Sequence, residues 1–539
     1  MNSSTIASFL YFVAMRYFSI IPLLFTSFFT SSQNNYCDIL IRNGKVLDGT
    51  GNSWFYGDVA VKGGKIIATG RNIPYSGART IDATGLIVAP GFIDVHTHIE
   101  GDDKEEPEAK NFIYNGVTTV IAGNCGASNV DLEKYFNWVD SFKLSVNVAS
   151  LIGHNDVRQA VMGRANREAS PMEMQQMETL VDQAMRHGAV GLSTGLIYIP
   201  GTYTKTPEIV RLAQIASKYN GVYATHMRNE GDEIVSAINE AIEIGRAANI
   251  PVEISHFKIS GQHNWGRSKE TVALVQKARE EGLDLTIDQY PYTASSTSIS
   301  TLLPDELLAD GQDSVRARLK RPEVKKYAVD YMLKRLKKRK LKHFSYVVVA
   351  SHRANPEYNG KSIEEINRMK SRKHKAKEEA HTVLDLQMNG GASAVFHGMG
   401  EEDLKYIMKY PFNMFASDAS IRVFNQGMPH PRGYGTNARV LEKYVRNEKV
   451  ISLEEAVRRM TSLPAQKFQL KGRGLLKEGM AADIVIFNEE QVAEMTTYEK
   501  PHAYSKGFIY VLVNGTPTVD NEKYTGARAG KALFGPGKK

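Results

Sequence analysis

Pro90-Gly91-Phe92-Ile93-Asp94-Val95-His96-Thr97-His98 is the stretch of sequence that decides the fold. It is an apolar run that starts after a Pro-Gly pair and ends on two histidines separated by one residue. Residues i and i+2 of a strand point to the same side, so His96 and His98 are predicted to project together. Two neutral imidazoles on one side form half of a divalent metal site. At the C-terminal end of a barrel strand they would face the mouth, where active sites lie.

Similar apolar runs recur along the chain and alternate with amphipathic helical runs, at intervals of about 30 residues, the size of one strand-helix-strand unit. The predicted strands are 91–98, 119–123, 146–152, 190–192, 222–226, 252–256, 285–289 and 413–417, and the clearest helical runs are 172–187, 207–219 and 230–248. This rhythm predicts an α/β fold, a TIM-like (β/α)8 barrel. An open doubly wound sheet is the alternative, although no glycine-rich phosphate loop follows the first strand.

Both ends of the chain have a different texture, with short strands separated by Asn-Gly, Gly-Gly and Gly-Thr-Gly turns. The predicted strands there are 38–42, 45–48, 59–61, 65–69, 482–487, 509–513 and 516–519. We therefore predict one small composite β domain built from residues 34–90 and 475–539, with the barrel at 91–474. Residues 297–385 break the barrel rhythm after the seventh strand and are interpreted as an insertion or lid.

Composition excludes several classes of protein. The chain has 539 residues, of which 42% are hydrophobic and 23% charged, so it is long and apolar enough for a large core. The net charge of +8 arises from residues 315–344, which hold 13 lysines and arginines against two acids. The basic run at 334–342 is interpreted as a solvated helix face. Nucleic-acid binding, with a steep dependence on salt, is the alternative that we do not favour.

The first 33 residues resemble an export signal. Met15-Arg16, an apolar core at 18–29 and a small-residue zone at 30–33 follow the order of a cleavable signal peptide, with Met15 as the true start. A membrane anchor is the alternative, but the apolar core is shorter than the ~20 residues that a span needs. The sequence thus predicts an exported protein, periplasmic or secreted, with no stable membrane span after cleavage.

Further metal-ligand side chains stand at the ends of predicted strands. His226 and His256 end consecutive strands, and Asp418 ends the last one. An aspartate there can also be a helix N-cap, but with histidines converging a ligand or general base is the better interpretation. Cys125 ends the second strand and offers a soft thiolate that suits zinc. A disulfide with Cys37, the only other cysteine, is the alternative.

These residues occur within motifs that resemble the N-acyl-D-amino-acid deacylases, or D-aminoacylases, of the amidohydrolase superfamily. The matching motifs are 91–98, Asn124-Cys125-Gly126, Gly153-His154-Asn155, Ser193-Thr194-Gly195-Leu196, Thr225-His226-Met227-Arg228, Ser255-His256-Phe257-Lys258, Tyr290-Pro291-Tyr292, Ser417-Asp418 and His430-Pro431-Arg432-Gly433-Tyr434-Gly435-Thr436. The resemblance covers roughly residues 36–530. It implies a TIM-like metal-dependent hydrolase barrel with a small composite β-sandwich from both termini, in agreement with the texture of the sequence.

The resemblance also implies a ligand set. Zn(2+) would be held tightly by Cys125, His226 and His256. A second, weaker metal position would use His96, His98 and Asp418, with Cys125 bridging. Many members of the superfamily bridge two metals with a carboxylated lysine on the fourth strand, but residues 189–196 contain no lysine. This favours the cysteine-bridged branch over a hydantoinase or a dihydroorotase.

The activity implied is hydrolysis of the amide bond of N-acyl-D-amino acids to a D-amino acid and a carboxylate, with a small-molecule substrate. Asp418 would act as base and then as acid. Lys258, Arg432 and one tyrosine of the 290–292 pair, for which we choose Tyr292, would bind the α-carboxylate of the substrate. D-residue-containing dipeptides or a cyclic amide are the alternative substrates. A barrel that has lost catalysis is not favoured, because all six expected metal positions carry competent ligands.

Overall fold

The structure, a computed structural model, describes residues 35–539. The signal peptide predicted at 1–33 lies outside these residues. Within them, no helix combines the length and the apolar character that crossing a membrane requires.

Helices and strands alternate through the middle of the chain, and strands dominate its ends. The strands are β1 (Tyr36–Val46), β2 (Phe55–Lys62), β3 (Lys65–Gly70), β4 (Ser76–Asp82), β5 (Ile87–Pro90), β6 (Phe92–Asp94), β7 (Val117–Ala122), β8 (Asn147–Ser150), β9 (Ile152–Gly153), β10 (Gly191–Gly195), β11 (Val222–His226), β12 (Val252–Ile254), β13 (Leu285–Gln289), β14 (Ala294–Ser298), β15 (Val347–Ser351), β16 (Ser393–His397), β17 (Asn413–Phe415), β18 (Ile484–Phe487), β19 (Phe508–Val513), β20 (Thr516–Asp520) and β21 (Lys523–Tyr524). The helices are α1 (Asp102–Glu105), α2 (Lys110–Ile113), α3 (Leu132–Phe142), α4 (His154–Met162), α5 (Pro171–His187), α6 (Thr206–Ser217), α7 (Ile234–Ala248), α8 (Ser268–Glu280), α9 (Gln312–Lys320), α10 (Pro322–Lys338), α11 (Ile363–Met369), α12 (Ala376–Met388), α13 (Glu401–Met408), α14 (Arg432–Arg439), α15 (Leu453–Met460) and α16 (Ser462–Lys467).

Two sets of parallel strands make the barrel, in the orders β6-β7-β8 and β17-β13-β12-β11-β10-β9. They are joined where β8 runs on into β9. At the other end, the His98 N–H donates to the Ala419 carbonyl at 2.9 Å, and the Asp418 N–H donates to the His96 carbonyl at 2.9 Å. The first and last strands therefore lie side by side. The predicted (β/α)8 barrel is confirmed, and this contact favours it over the open-sheet alternative.

The first barrel strand is shorter than the sequence predicts, because it ends at Asp94 instead of His98. The buried carboxylate of Asp94 accepts the backbone N–H of His96 at 3.3 Å and that of Ser417 at 3.0 Å. These bonds replace the strand ladder just beyond β6. His96 and His98 consequently lie in the loop that follows the strand, at the mouth of the barrel.

The helices that surround the barrel carry local signals for their ends, and α5 shows them most fully. Ser170 caps its first turn in a capping box with Glu173, and Pro171 occupies the first helical position, where no N–H is needed. Gly188 ends the helix at φ 109°, a left-handed conformation that favours glycine. Met177 and Val181 lie on the face that packs into the barrel core.

Strands from both ends of the chain form one sheet. Its order is β21-β20-β19-β18-β5-β1-β2-β3, with β4 also paired to β1. The N-terminal and C-terminal parts meet where β5 pairs with β18 antiparallel. Ile41 of β1 and Ile484 of β18 are fully buried in the same apolar cluster, so the two ends stabilise each other.

A separate substructure interrupts the barrel between β13 and α13. Its three-stranded antiparallel sheet has the order β14-β16-β15 and is accompanied by α9, α10, α11 and α12. It has its own apolar cluster, with Val329 of α10 and Val383 of α12 among its buried members. The sheet begins at Ala294 and ends at His397, so it extends beyond both limits, 297 and 385, that the change of rhythm in the sequence marked.

Candidate metal centre and substrate cavity

Cys125 lies at the centre of a group of imidazoles at the mouth of the barrel. Its sulfur is 3.3 Å from Nε2 of His96, 3.5 Å from Nδ1 of His226 and 3.6 Å from Nε2 of His256. All four side chains are buried. Cys125 follows β7, His226 ends β11 and His256 follows β12, so the C-terminal ends of three barrel strands bring these donors to one point.

A second set of donors adjoins the first. The carboxylate oxygen Oδ1 of Asp418 is 3.3 Å from Nε2 of His98 and 3.7 Å from Nε2 of His96. Two of the overlapping groups that can hold a metal share Cys125, and they are Cys125, His226 and His256, and His96, His98 and Cys125. A third overlapping group consists of His96, His256 and Asp418. The structure brings together all six side chains that the sequence predicts as metal ligands.

The backbone at three of these positions is unusual. Cys125, His256 and Asp418 have φ angles of 53°, 38° and 50°, in the left-handed region that residues with a side chain seldom adopt. Such conformations cost of order 1–3 kcal/mol each and cluster at functional sites, where the surroundings hold them. The strain aims the three donors into the mouth instead of along their strands.

Neither cysteine is in a disulfide. Cys37 lies in β1, where its thiol donates to the backbone carbonyl of Ser76 at 3.6 Å. The alternative prediction of a Cys37–Cys125 disulfide is therefore wrong, because β1 belongs to the terminal sheet and Cys125 to the barrel mouth. Cys125 is left available as a ligand.

The chemistry of the donor set fits zinc. Burial opposes ionisation of the Cys125 thiol, but the imidazoles of His96 and His226 outweigh it and hold the pKa of this thiol well below its ordinary value. A thiolate with two imidazole nitrogens is a donor set typical of zinc in proteins. No carboxylate or amide lies between the sulfur and the nitrogens, which face one another directly across 3.3–3.6 Å.

Two carboxylates that the sequence analysis did not predict contact two of the histidines, on the ring nitrogens that face away from Cys125. Oε1 of Glu230 is 2.9 Å from Nδ1 of His256, and Oδ2 of Asp288 is 3.3 Å from Nδ1 of His96. Each carboxylate contacts the outer ring nitrogen, Nδ1, and with the proton on that nitrogen Nε2 would be the free lone pair that faces Cys125. A signal for Asp288 exists in the sequence, since it is the charged residue of β13, whose sequence is Leu-Thr-Ile-Asp-Gln.

Arg432 lies against Asp418 and not against solvent. Its Nη1 is 2.8 Å from Oδ2 of Asp418, and its guanidinium lies 4.6 Å from the ring centroid of Tyr290. Burial opposes ionisation of Asp418, but Arg432 and His96 outweigh it and hold the pKa of this carboxyl well below its usual range. Asp418 is therefore a carboxylate with one oxygen on the arginine and the other towards His98.

The structure places only some of the other residues predicted to bind the substrate on the wall of the cavity. Lys258 and Tyr290 line the cavity next to His226 and His256, and the ammonium of Lys258 lies 5.7 Å from the Tyr290 ring centroid. The hydroxyl of Tyr292 instead donates to Glu494 at 2.7 Å, away from the cavity. The tyrosine of the 290–292 pair that faces the substrate space is thus Tyr290.

An open cavity lies above the donors. Its barrel side includes His226, His256 and Asp418, and the opposite side is formed by the insertion. A concave site with buried donors at its floor can bind a small molecule.

Comparisons with known proteins agree with this geometry. The sequence profile described as "Amidohydrolase family" matches residues 79–519. This chain belongs to the amidohydrolase family. Within it, the chain is 33% identical over 527 residues to the D-aminoacylase of Alcaligenes xylosoxydans xylosoxydans, which covers 94% of this chain and 99% of the relative. It is also 33% identical to the N-acyl-D-glutamate deacylase of the same organism, over 89% of this chain and 93% of the relative.

A solved amidohydrolase structure has the same overall form. It is the N-acyl-D-glutamate deacylase from Bordetella bronchiseptica, complexed with zinc and a phosphonate inhibitor that mimics the tetrahedral intermediate. The TM-score is 0.79 at 31% identity, over 93% of this chain and all of that one. The resemblance to the D-aminoacylases is thereby confirmed. In this chain β10 contains no lysine, and Cys125 lies where the two ligand groups meet.

Proposed function

We propose that this amidohydrolase cleaves the amide bond of N-acyl-D-amino acids, releasing a D-amino acid and a carboxylate, with zinc as its metal. The observation that carries the proposal is the position of the Cys125 sulfur between His226 and His256, with Asp418 beside them on one cavity. The names of the similar proteins supply the D-amino-acid class of substrate.

We assign the tight zinc position to Cys125, His226 and His256, and a second, weaker one to His96, His98 and Asp418. When bound, zinc acidifies water and polarises a carbonyl group. The carboxylate of Asp418 is placed to accept the proton of the attacking water and to return it to the departing amine. Its ionised state and its position at the cavity floor suit it to this double role.

Binding of the α-carboxylate falls to three side chains. Lys258 and Tyr290 line the cavity, and Arg432 lies against the Tyr290 ring and Asp418. An arginine can bind a carboxylate through two parallel hydrogen bonds, and a lysine adds a point charge. Together they would place the scissile amide over the metal donors, with Asp418 on one side of it.

We further propose that the protein is exported, periplasmic or secreted. The support is the sequence of residues 1–33 alone: Met15-Arg16, an apolar core and a zone of small residues. Expression of the full chain in a bacterium, fractionation and N-terminal sequencing test this. A chain in the cytoplasmic fraction that keeps its first 30 residues would contradict it.

The decisive test of the activity joins two measurements on one preparation of the full chain. Bound metal is quantified first, and the protein is then assayed with N-acetyl derivatives of D- and L-leucine, methionine, glutamate and aspartate. We expect the protein to contain zinc and to release the amino acid from the D forms alone. If zinc is bound but neither enantiomer is hydrolysed, and a D-residue dipeptide or a cyclic amide is cleaved instead, the proposed substrate changes to that compound.

A further inference from the structure

The basic run of the sequence does not lie wholly in solvent. Arg335 and Lys338 of α10, and Arg339 directly after it, line the same cavity as His226 and Asp418. Their spacing of three and four residues places them on one face of the helix. Lys334 and Lys337 of the same run are exposed and are not part of the cavity wall.

These cations are only partly neutralised. Lys338 is 2.6 Å from Asp232, but the same carboxylate also bonds His263 at 2.5 Å. Arg335 donates to the backbone carbonyl of Thr301 at 2.7 Å. Within residues 35–539, neither Arg335 nor Arg339 forms an ion pair with an acid.

The other acids of the cavity wall are already committed. Glu230 contacts Lys258, and Asp418 contacts Arg432. The insertion side of the cavity therefore carries an excess of positive charge. Its uncharged lining from β14 is also polar, with the hydroxyl side chains of Ser295, Ser296 and Thr297.

We propose that Arg335, Lys338 and Arg339 bind a second carboxylate of the substrate. This inference rests on the proposed function, in which Lys258, Tyr290 and Arg432 bind the α-carboxylate at the barrel floor. A concave wall with two arginines that form no ion pair in the described part of the chain, a partly neutralised lysine and several hydroxyls favours an anion over an aliphatic group, because guanidinium and ammonium groups make strong, charge-assisted hydrogen bonds with carboxylates. The second carboxylate comes from the D side chain or from the acyl group, and the experiment separates the two.

Pairs of isosteric substrates measure the preference directly. N-acetyl-D-glutamate is compared with N-acetyl-D-glutamine, and N-succinyl-D-leucine with its neutral N-succinamoyl counterpart, on the zinc-loaded full chain. We expect the charged member of one pair to have a kcat/KM at least about tenfold higher, as a charge-assisted hydrogen bond predicts. The pair that shows the ratio identifies the side chain or the acyl group as the source.

Matched double variants in the same basic run test whether the cations that line the cavity cause the preference for charged substrates. In Lys338→Met/Arg339→Met the charged-to-neutral ratio should fall at least about tenfold, as loss of charged hydrogen bonds predicts. Lys334→Met/Lys337→Met removes the same charge from the solvent face and should leave the ratio unchanged. The inhibition constants of D-glutamate and D-glutamine, used as competitive inhibitors, measure the charged-to-neutral preference for the side chain without turnover.

Two results would overturn the inference. If the charged and neutral members of both pairs have kcat/KM values within twofold of each other, no second carboxylate is bound. An equal fall of the ratio in the Lys334→Met/Lys337→Met protein would show general attraction by the field of the helix instead of a site. Failure of the proposed function is distinguishable, because the enzyme would then release no D-amino acid from any of the N-acyl substrates, charged or neutral.

Discussion

Glu230 is expected to control zinc affinity without being a ligand. Its carboxylate contacts the outer nitrogen of His256 at 2.9 Å, lies 3.8 Å from Nε2 of His226 and pairs with Lys258. Burial opposes ionisation of Glu230, but Lys258 and His226 outweigh it and hold the pKa of this carboxyl well below its usual range. A charge that faces both histidines of the tight position makes their lone pairs more basic.

Glu230→Gln keeps the shape of the side chain and removes its charge. Loss of such an orienting carboxylate weakens metal binding by about 10–100-fold, or roughly 1.4–2.8 kcal/mol. The ammonium of Lys258, with a side chain only 3% exposed, also loses its counter-charge, and an unpaired buried charge costs about 3–5 kcal/mol of stability. Glu230→Asp keeps the charge but withdraws it from His256, so it separates the effect on metal from the effect on folding.

Zinc affinity is measured by competition with a fluorescent chelator, and folding by circular dichroism of the same samples. Glu208→Gln is the matched control, because Glu208 also joins a buried histidine and a cation, His154 at 3.0 Å and Arg158 at 2.6 Å, outside the cavity wall. It should lower stability and leave zinc affinity unchanged. A folded Glu230→Gln protein that binds zinc within twofold of the wild type would refute the role of Glu230.

Three further outcomes are expected. Tyr290→Phe should raise KM about tenfold through loss of one hydrogen bond to a charged group, whereas Tyr292→Phe should leave KM within twofold in the same steady-state assay. Arg432→Met should raise KM steeply while metal analysis still finds the zinc of the wild type; loss of zinc would contradict its assignment to substrate. Burial lowers the pKa of the Lys467 ammonium to about 8 in the folded protein, whereas a lysine in the unfolded chain has a pKa of about 10.4. Between these two pH values the unfolded chain binds more protons than the folded one, so the free energy of unfolding should increase with pH by up to about 3 kcal/mol. Denaturant titrations of Lys467→Met should lack this increase.

The repeating part of the fold was predictable because each barrel unit is encoded locally. The apolar runs at 222–226 and 285–289 coincide with β11 and β13, and α5 has its cap, its proline and its terminal glycine within its own sequence. The limits of the insertion were harder to predict. Ala294 and His397 pair across the ends of β14 and β16, and a contact between residues so distant in sequence leaves no local pattern.

The convergence of the six proposed metal ligands was predictable from residue type and strand ends, whereas the residues around them were not. Glu230 lies in the loop between β11 and α7, and nothing in its neighbourhood distinguishes it from a solvated acid. The cations of α10 are similar, because a basic run usually marks a solvated face. Only the tertiary position of the insertion turns Arg335 and Arg339 towards the barrel.

A spacing of two residues has different consequences in two parts of the site. His96 and His98 lie beyond β6, yet they stay together, with ring centroids 5.2 Å apart, because backbone bonds to Asp418 and Ala419 keep their segment extended beside the segment that follows the last strand. Tyr290 and Tyr292 have the same spacing, but the Tyr292 N–H donates to the Tyr290 carbonyl at 2.9 Å and closes a tight turn around the proline between them. Their rings therefore diverge, one towards the cavity and one towards Glu494. A two-residue spacing predicts a shared site only where a neighbouring strand holds the backbone extended, and this condition depends on the tertiary fold.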